Sequence, residues 1–372
     1  MIVNNSCESE NNMRKYYLDN IRWMTVVLVV IYHVFYMYNA VGIPGVFGKI
    51  TGPGVQYCDL YMYIVYPWFM MLLFIVSGTC SRYFLERHSD REFIKSRTTK
   101  LLVPSTIGLF AFHFIQGYVN MSLSGAFDSL KEVPTVIKAL IMVVSGIGPL
   151  WYIQVLWILS LVLVPIRKME KDRLWTLCGN AGIPLLVLLV IPVWGAAQIL
   201  NTPIIVVYRF GLYGMVFLLG YFVFSHDGVI EKLKQAFVPF LLIAVGLGIA
   251  FCRLYFGQNY ADVPINRSPL FVGYGWFACL AIFGGMAKYG DFENSFTRWM
   301  GKRSFGLYVF HYLGISAAAL LLARPGRLPA AAVYVLSLIA GFAAGYGLNA
   351  VISRLPFFRW AVLGIKKDKA NV

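Results

Sequence analysis

The stretch Tyr17-Leu-Asp-Asn-Ile-Arg-Trp-Met-Thr-Val-Val-Leu-Val-Val-Ile-Tyr-His-Val-Phe-Tyr36 is apolar, yet it carries Asp19 and Arg22 near its start and His33 deep inside. A helix turns about 100° and rises about 1.5 Å per residue, so Arg22 and His33 lie about three turns apart on one face, roughly 16 Å along the axis. Ionisable residues inside a membrane span usually face a cavity or a partner, which indicates a functional pair. The structural alternative is a histidine that only hydrogen-bonds a neighbouring helix.

The composition of the 372-residue chain indicates a polytopic membrane protein of the all-α class. Hydrophobic residues make up 59% of the sequence and charged residues 13%, which leaves too little polar surface for a soluble protein of this size. The net charge of +15 does not indicate nucleic-acid binding, because most of the 32 Lys and Arg lie in short loops between apolar runs.

Ten apolar runs approach the length of about 20 residues that a helix needs to cross the hydrocarbon core. They lie at 20–41, 61–84, 101–121, 148–166, 181–200, 204–225, 236–256, 269–289, 304–323 and 330–353. If these spans alternate in direction, 24 of the 32 Lys and Arg fall on the side of the N-terminus, so both termini are predicted to be cytoplasmic. The run at 134–147 has marginal length and leaves three alternatives open: an interfacial helix or a re-entrant helix on the outer side, or a further span, which would reverse every later loop and remove the charge bias.

We expect a single membrane domain over 1–372, with a polar N-terminal tail at 1–15 and a basic C-terminal tail at 355–372. Since no small-residue cleavage site follows the first apolar run, the first helix is expected to be retained. The six cysteines are scattered without CxxC spacing, so we expect them to be unpaired packing residues.

Several motifs together resemble the acyltransferase-3 family of integral membrane acyltransferases. The opening stretch, with ten residues between Arg22 and His33, resembles the first helix of that family. Four later segments also fit its pattern: Phe74-Ile-Val-Ser-Gly78, Arg97-Thr-Thr-Lys100-Leu-Leu-Val-Pro104, Gly148-Pro-Leu-Trp-Tyr152 and Ser304-Phe-Gly-Leu-Tyr-Val-Phe-His311. The resemblance covers nearly the whole chain, and the Leu-Leu-Val-Pro form is similar to the branch of glucan succinyltransferases and O-acetyltransferases. Lys100 stands where the family usually has arginine, and it lacks the bidentate fork of arginine, so donor binding there is expected to be looser or differently oriented.

The resemblance implies an enzyme of the bacterial inner (plasma) membrane. Such an enzyme moves an acetyl or succinyl group from cytoplasmic acyl-CoA, for example acetyl-CoA, to a hydroxyl of a cell-envelope carbohydrate, a glycolipid or a related acceptor. Acyl transfer to a hydroxyl needs a base, and neutral histidine suits this role at pH 7, so His33 is the predicted catalytic base. The alternative route has His33 attack the thioester and carry the acyl group briefly.

Arg22, Arg97 and Lys100 are the predicted donor-binding cations, and Asp19 is predicted to fix the rotamer of Arg22. For Arg22 the alternative is an interfacial arginine that reaches the lipid headgroups. For Arg97 and Lys100 the alternative is a generic basic loop on the cytoplasmic side.

Four further residues are candidates for supporting roles: His311, His113, Ser77 and Trp151. Each histidine could line the same cavity as His33 or simply bond a neighbouring helix. Ser77 precedes Gly78 in a pattern that is more typical of close helix packing, and Trp151 also suits an interfacial belt. No metal site is expected, because the histidines are far apart and no Cys or carboxylate pair stands at ligand spacing.

Two other classes of protein remain open from sequence alone. A transporter or flippase of an envelope precursor, without acyl-transfer chemistry, also explains many helices around a cavity. That class predicts paired halves with interrupted helices, which the sequence does not show. The second alternative is an inactive membrane partner protein, against which the intact Arg22 and His33 weigh.

Overall fold

The computed structural model describes residues 14–43, 47–50, 57–202 and 206–365, and the regular elements in these residues are helices, which confirms the all-α class. The helices are α1 (Tyr16–Met37), α2 (Leu60–Arg87), α3 (Asp90–Arg97), α4 (Val103–Ser105), α5 (Phe114–Ser124), α6 (Ala126–Ser129), α7 (Thr135–Ser145), α8 (Trp151–Glu170), α9 (Arg173–Cys178), α10 (Ile183–Leu188), α11 (Val190–Ala197), α12 (Phe210–Phe222), α13 (Asp227–Tyr255), α14 (Pro269–Tyr289), α15 (Ser295–Ala318), α16 (Ala330–Ile352) and α17 (Pro356–Leu363). π-helical turns at Thr98–Leu102, Leu109–His113 and Ala319–Ala323 and 3₁₀ turns at Tyr57–Asp59, Gly148–Leu150 and Ile265–Arg267 adjoin them.

Eight helical runs among the described residues are long and apolar enough to cross a membrane, which confirms a polytopic membrane protein. They are Tyr16–Met37, Tyr57–Arg87, Asp90–Ser124, Gly148–Glu170, Asp227–Tyr255, Pro269–Tyr289, Ser295–Ala323 and Ala330–Ile352. The predicted spans at 181–200 and 204–225 contain shorter apolar helices, Ile183–Ala197 and Phe210–Phe222. Helices of this length cover less than the hydrocarbon core of about 30 Å. In the first of these two runs, Leu189 separates α10 from α11, and Leu200 at the end of the run has a positive φ of 54°.

The apolar run at 134–147 forms α7, which has 11 residues and is therefore only about 16 Å long. α7 packs closely on α5, since a Cβ at Gly117 would lie 1.6 Å from the carbonyl oxygen of Met142. Asn120 of α5 also donates to the carbonyl oxygen of Ser145 at 2.7 Å. A helix of this length is too short to cross a bilayer, which argues against a further span, while the interfacial or re-entrant placement stays a prediction.

The described residues group into two compact units. Unit 1 contains the described residues of 1–25, 62–94 and 158–302, and unit 2 those of 26–61, 95–157 and 303–372. Within unit 1, α2 and α12 cross closely at Gly78 and Gly220, and within unit 2, α15 and α16 cross closely at Gly314. The single domain over 1–372 and the cytoplasmic side of both termini stay predictions.

The segment expected to be a basic tail, 355–372, contains α17, and Ala361, Val362 and Leu363 of this helix are buried. Gly364 ends α17 in the left-handed conformation, with φ of 62°. A Cβ there would lie 2.5 Å from the carbonyl oxygen of Thr99, so the end of α17 packs on the π-helical turn Thr98–Leu102.

The cysteine prediction needs one correction. Cys58, Cys178, Cys252 and Cys279 carry free thiols, as expected. Cys80 is disulfide-bonded, so the expectation of six unpaired cysteines is wrong there. Pairing depends on distance in space, which the scattered spacing does not report. Cys7 lies outside the described residues.

Candidate active site

His33 lies near the end of α1, a helix that runs without glycine or proline from Tyr16 to Met37. Asp19 stands in the first turn, where the positive end of the helix dipole favours a carboxylate. Beyond the helix, Asn39 donates to the carbonyl oxygen of Tyr36 and accepts from the backbone N–H of Val41, which turns the chain away. His33 is thus held on a continuous helix whose charged residues, Asp19 and Arg22, lie about three to four turns earlier.

Two histidines that are 278 residues apart in sequence meet in unit 2. His311 Nε2 lies 3.1 Å from His33 Nδ1. His33 Nδ1 also lies 2.8 Å from the carbonyl oxygen of Val29, one turn earlier on α1. On the far side of the pair, His311 Nδ1 lies 2.8 Å from the carbonyl oxygen of Tyr308 and 3.1 Å from that of Leu307. Both Nδ1 atoms are therefore engaged with backbone carbonyl oxygens.

Aromatic rings surround the imidazole of His33. The ring centroids of Tyr32, Tyr36 and Tyr312 lie 5.3, 5.8 and 5.2 Å from it. His311 is completely buried, whereas His33 keeps part of its surface exposed. Within the described part of the chain no hydrogen-bond partner lies on His33 Nε2, so this nitrogen is open for chemistry.

The Gly148–Tyr152 motif supports this histidine pair. The hydroxyl of Tyr308 donates to the carbonyl oxygen of Pro149, and the rings of Tyr152 and Tyr308 lie 6.0 Å apart. Gly148 has φ of 43° and lies against Tyr312, where an added Cβ would come within 3.3 Å of the ring. The motif at Gly148–Tyr152 and the motif that ends at His311 therefore pack against each other. Trp151 lies at the start of α8, beside this contact.

The other two candidates for supporting roles, His113 and Ser77, are both buried. His113 is buried at the end of a π-helical turn, where its ring stacks on Phe310 with centroids 6.3 Å apart. Its Nε2 has no hydrogen-bond partner among the described residues. Ser77 is buried in α2 of unit 1, and its carbonyl oxygen accepts from the Ser81 hydroxyl at 2.7 Å.

Asp19 joins two arginines at the start of α1, in unit 1. Its Oδ1 accepts from Arg22 Nη1 at 3.2 Å, and its Oδ2 accepts from Arg14 Nε and Nη2 at 3.0 and 2.7 Å. Arg22 Nη2 also donates to Cys80 Sγ at 3.2 Å. These side chains are mostly buried, with 22% of Arg22 and 13% of Asp19 exposed. The contact between Asp19 and Arg22 that the helical spacing predicts is present. The second ion pair, between Arg14 and Asp19, was not predicted from the sequence.

The predicted donor-binding turn lies in unit 2. Arg97 ends α3, Lys100 lies in the following π-helical turn, and both side chains are half-buried. Trp157 Nε1 donates to Thr98 Oγ1 at 3.2 Å, and the end of α17 packs on the same turn. Among the described residues, no group of three or more His, Cys, Asp and Glu side chains is placed to hold a metal ion.

Sequence reasoning missed three residues that the structure adds to these sites: Arg14, Tyr308 and Tyr312. Tyr308 stands inside the motif from Ser304 to His311, so the motif itself was the available signal. Arg14 precedes the first helical residue, and helical spacing therefore gives no indication of its contact with Asp19. Nothing in the sequence marks Tyr312.

The long apolar helices and the paired histidines with one open ring nitrogen define an integral membrane protein with an imidazole site in its helical interior. A family model described as an acyltransferase domain matches residues 15–352, nearly the whole chain. The chain belongs to the acyltransferase-3 family and is a membrane acyltransferase. Comparison with the curated proteins and with the solved structures gives no match.

Proposed function

We propose that this membrane acyltransferase moves an acetyl or succinyl group from cytoplasmic acyl-CoA to a hydroxyl of a cell-envelope carbohydrate or glycolipid, in the bacterial inner membrane. The observation that carries the proposal is the open Nε2 of His33, which lies deep in a helix whose charged residues are confined to its first two turns. Family membership supports acyl transfer in general, and the resemblance of the Leu-Leu-Val-Pro segment supports the acyl group and the acceptor class.

The chemistry assigned to His33 is that of a general base. The acceptor oxygen attacks the thioester carbonyl carbon while its proton passes to His33 Nε2. The carbon–sulfur bond then breaks, and His33 returns the proton to the leaving thiolate, which gives the ester and free CoA. In the alternative route the same nitrogen attacks the thioester first and forms an acyl-histidine.

The donor is assigned to the cationic groups at the predicted cytoplasmic side. Coenzyme A has an anionic head on a long arm, and Arg22 precedes His33 by eleven residues on α1, or roughly 16 Å. Arg22, held by Asp19, would bind the head or the arm while the thioester reaches His33. Arg97 and Lys100 would bind the nucleotide phosphates as charged donors.

Assays of the purified full-length protein test the proposal. Free thiol release from acetyl-CoA and from succinyl-CoA is measured, with and without envelope glycans, together with mass spectrometry of the glycan. We expect H33A to lose transfer, whereas H88A, which alters an exposed histidine, keeps it. Full activity in H33A would overturn the role of His33.

Two further outcomes address the alternatives. An acyl group trapped on His33 by rapid acid quench and peptide mass spectrometry would select the acyl-histidine route over direct transfer. Uptake of an envelope precursor into proteoliposomes, without release of CoA from any acyl-CoA, would overturn the proposed reaction in favour of a transporter.

A further inference from the structure

We propose that His311 is a positioning residue that fixes the tautomer of His33 and stabilises the cation that forms when His33 takes up a proton. This inference rests on the proposed role of His33 as a base. It adds a hydrogen-bond chain that runs from the backbone of α15 through His311 to Nδ1 of His33, the ring nitrogen opposite the reactive Nε2.

The carbonyl contacts determine which nitrogens carry hydrogen. A carbonyl oxygen only accepts, so His311 Nδ1, at 2.8 Å from the Tyr308 oxygen, carries a proton. A neutral His311 then has a lone pair on Nε2. His33 Nδ1, at 2.8 Å from the Val29 oxygen, also carries a proton and shares it between that oxygen and His311 Nε2. The lone pair of His33 is thereby left on Nε2, the nitrogen that a base needs.

The other assignments conflict with the same distances. If His311 Nε2 donated to His33 Nδ1, the lone pair of His33 Nδ1 would point at the Val29 oxygen only 2.8 Å away. If His311 carried both protons, its positive charge would be completely buried, with no carboxylate hydrogen-bonded to either ring among the described residues. Burying an unpaired charge is strongly unfavourable, so a neutral His311 is the stable form.

The pair replaces the carboxylate of a serine-protease-type triad with a neutral acceptor. In such triads the acidic residue orients the histidine and stabilises its cation. Here His311 Nε2 does both through one hydrogen bond, and no negative charge has to be buried beside the apolar face of α1. The backbone carbonyls of Leu307 and Tyr308 and the packing of Tyr308 on Pro149 keep the His311 ring in place.

Two substitutions of His311 separate orientation from packing. H311L removes the Nε2 acceptor and fills its place with an apolar side chain. In H311Q the amide oxygen reaches the place of the imidazole Nε2 and can accept the same hydrogen bond. We expect kcat to fall by about 10²-fold in H311L, on the scale of a lost general base, while the KM for acyl-CoA changes less than twofold. H311Q should recover at least about tenfold of that loss. Equal loss in both variants, or full kcat in H311L, would overturn the inference.

A second measurement does not depend on turnover. Nitrogen-15 NMR of the full-length protein labelled at histidine, with the His33 signal assigned by its absence in H33Q, reports which ring nitrogen carries hydrogen. We expect His33 to be protonated on Nδ1 in the native protein and to lose this preference in H311L. A native His33 protonated on Nε2 would overturn the inference even if acyl transfer is observed. The Nδ1-protonated form in a protein that transfers no acyl group would support the geometry of the pair and refute the proposed function.

Discussion

A methyl group added at Gly78 would overlap the backbone of α12 inside unit 1. The Cβ of G78A would lie 1.9 Å from the carbonyl oxygen of Phe217, whereas ordinary contact begins at 3.4 Å, so one helix has to move by about 1.5 Å. Neither atom belongs to a flexible side chain. The same crossing is close from the other side, since a Cβ at Gly220 would lie 2.2 Å from the carbonyl oxygen of Ile75. The shift would also stretch the hydrogen bond from the Thr79 hydroxyl to the Gly220 oxygen, now 3.1 Å long.

The expected cost follows from these contacts. Overpacking of this kind costs roughly 1–3 kcal/mol, and the weakened hydrogen bond adds about 1 kcal/mol. Alanine returns up to about 1 kcal/mol because it favours the helix more than glycine does. We therefore expect G78A to lower the free energy of unfolding by about 2 kcal/mol, or the melting temperature by roughly 4 °C.

Thermal unfolding in detergent, followed by tryptophan fluorescence, measures this effect. The matched control is G246A on α13 of the same unit, where a Cβ would meet no atom within 4 Å. We expect G246A to melt at or slightly above the native temperature, because it gains helix propensity without a clash. If G78A melts at the same temperature as G246A, the close crossing of α2 and α12 does not limit stability and the reasoning is refuted.

Two further substitutions test the polar groups of unit 1. In steady-state kinetics, R22A should raise the KM for acyl-CoA about tenfold, which is the scale of one charge-assisted hydrogen bond. R14A is the control, because Arg14 contacts the same Asp19, and it should change this KM less than twofold. An unchanged KM in R22A would remove Arg22 from donor binding. His226 lies before α13 and stacks on Trp175 with ring centroids 4.1 Å apart, and its burial lowers its pKa below the ordinary 6.5. The unfolded chain then takes up the proton more readily, so stability is lost as the pH falls below about 6.5. In melting curves between pH 8 and pH 5, the melting temperature of H226F, which keeps an aromatic ring on Trp175, should fall less than that of the native protein. H88F, a change at an exposed histidine stacked on Phe84, should show the same fall as the native protein. An equal fall in H226F and the native protein would contradict this reasoning.

The local parts of the candidate site were predictable because they depend on helical spacing. Asp19 and Arg22 stand three residues apart on one helix, where side chains meet, and their contact is present. The eight long helices follow from apolar runs whose length alone indicates a span. A hydropathy average does not distinguish a continuous helix from two short ones, so the breaks near Leu189 and Leu200 made two spans look longer than their helices are.

The non-local part was not predictable from residue spacing. Nothing in the distance along the chain between His33 and His311 indicates that their rings lie within hydrogen-bond reach. The motif that ends at His311 suggested a supporting role, but the tautomer depends on carbonyl oxygens that every helix has. The stacking of the His113 ring on Phe310 is non-local in the same way, because the two residues lie on separate helices.

The helix α17 bears on how this protein should be cloned. The family match ends at residue 352, and a gene trimmed to that boundary would omit α17. Such a truncation would uncover the surfaces around Gly108 and Thr99, which the end of α17 now contacts, beside the turn that carries Lys100. Affinity tags are therefore best joined beyond Ile365, so that Gly364 can keep its left-handed conformation.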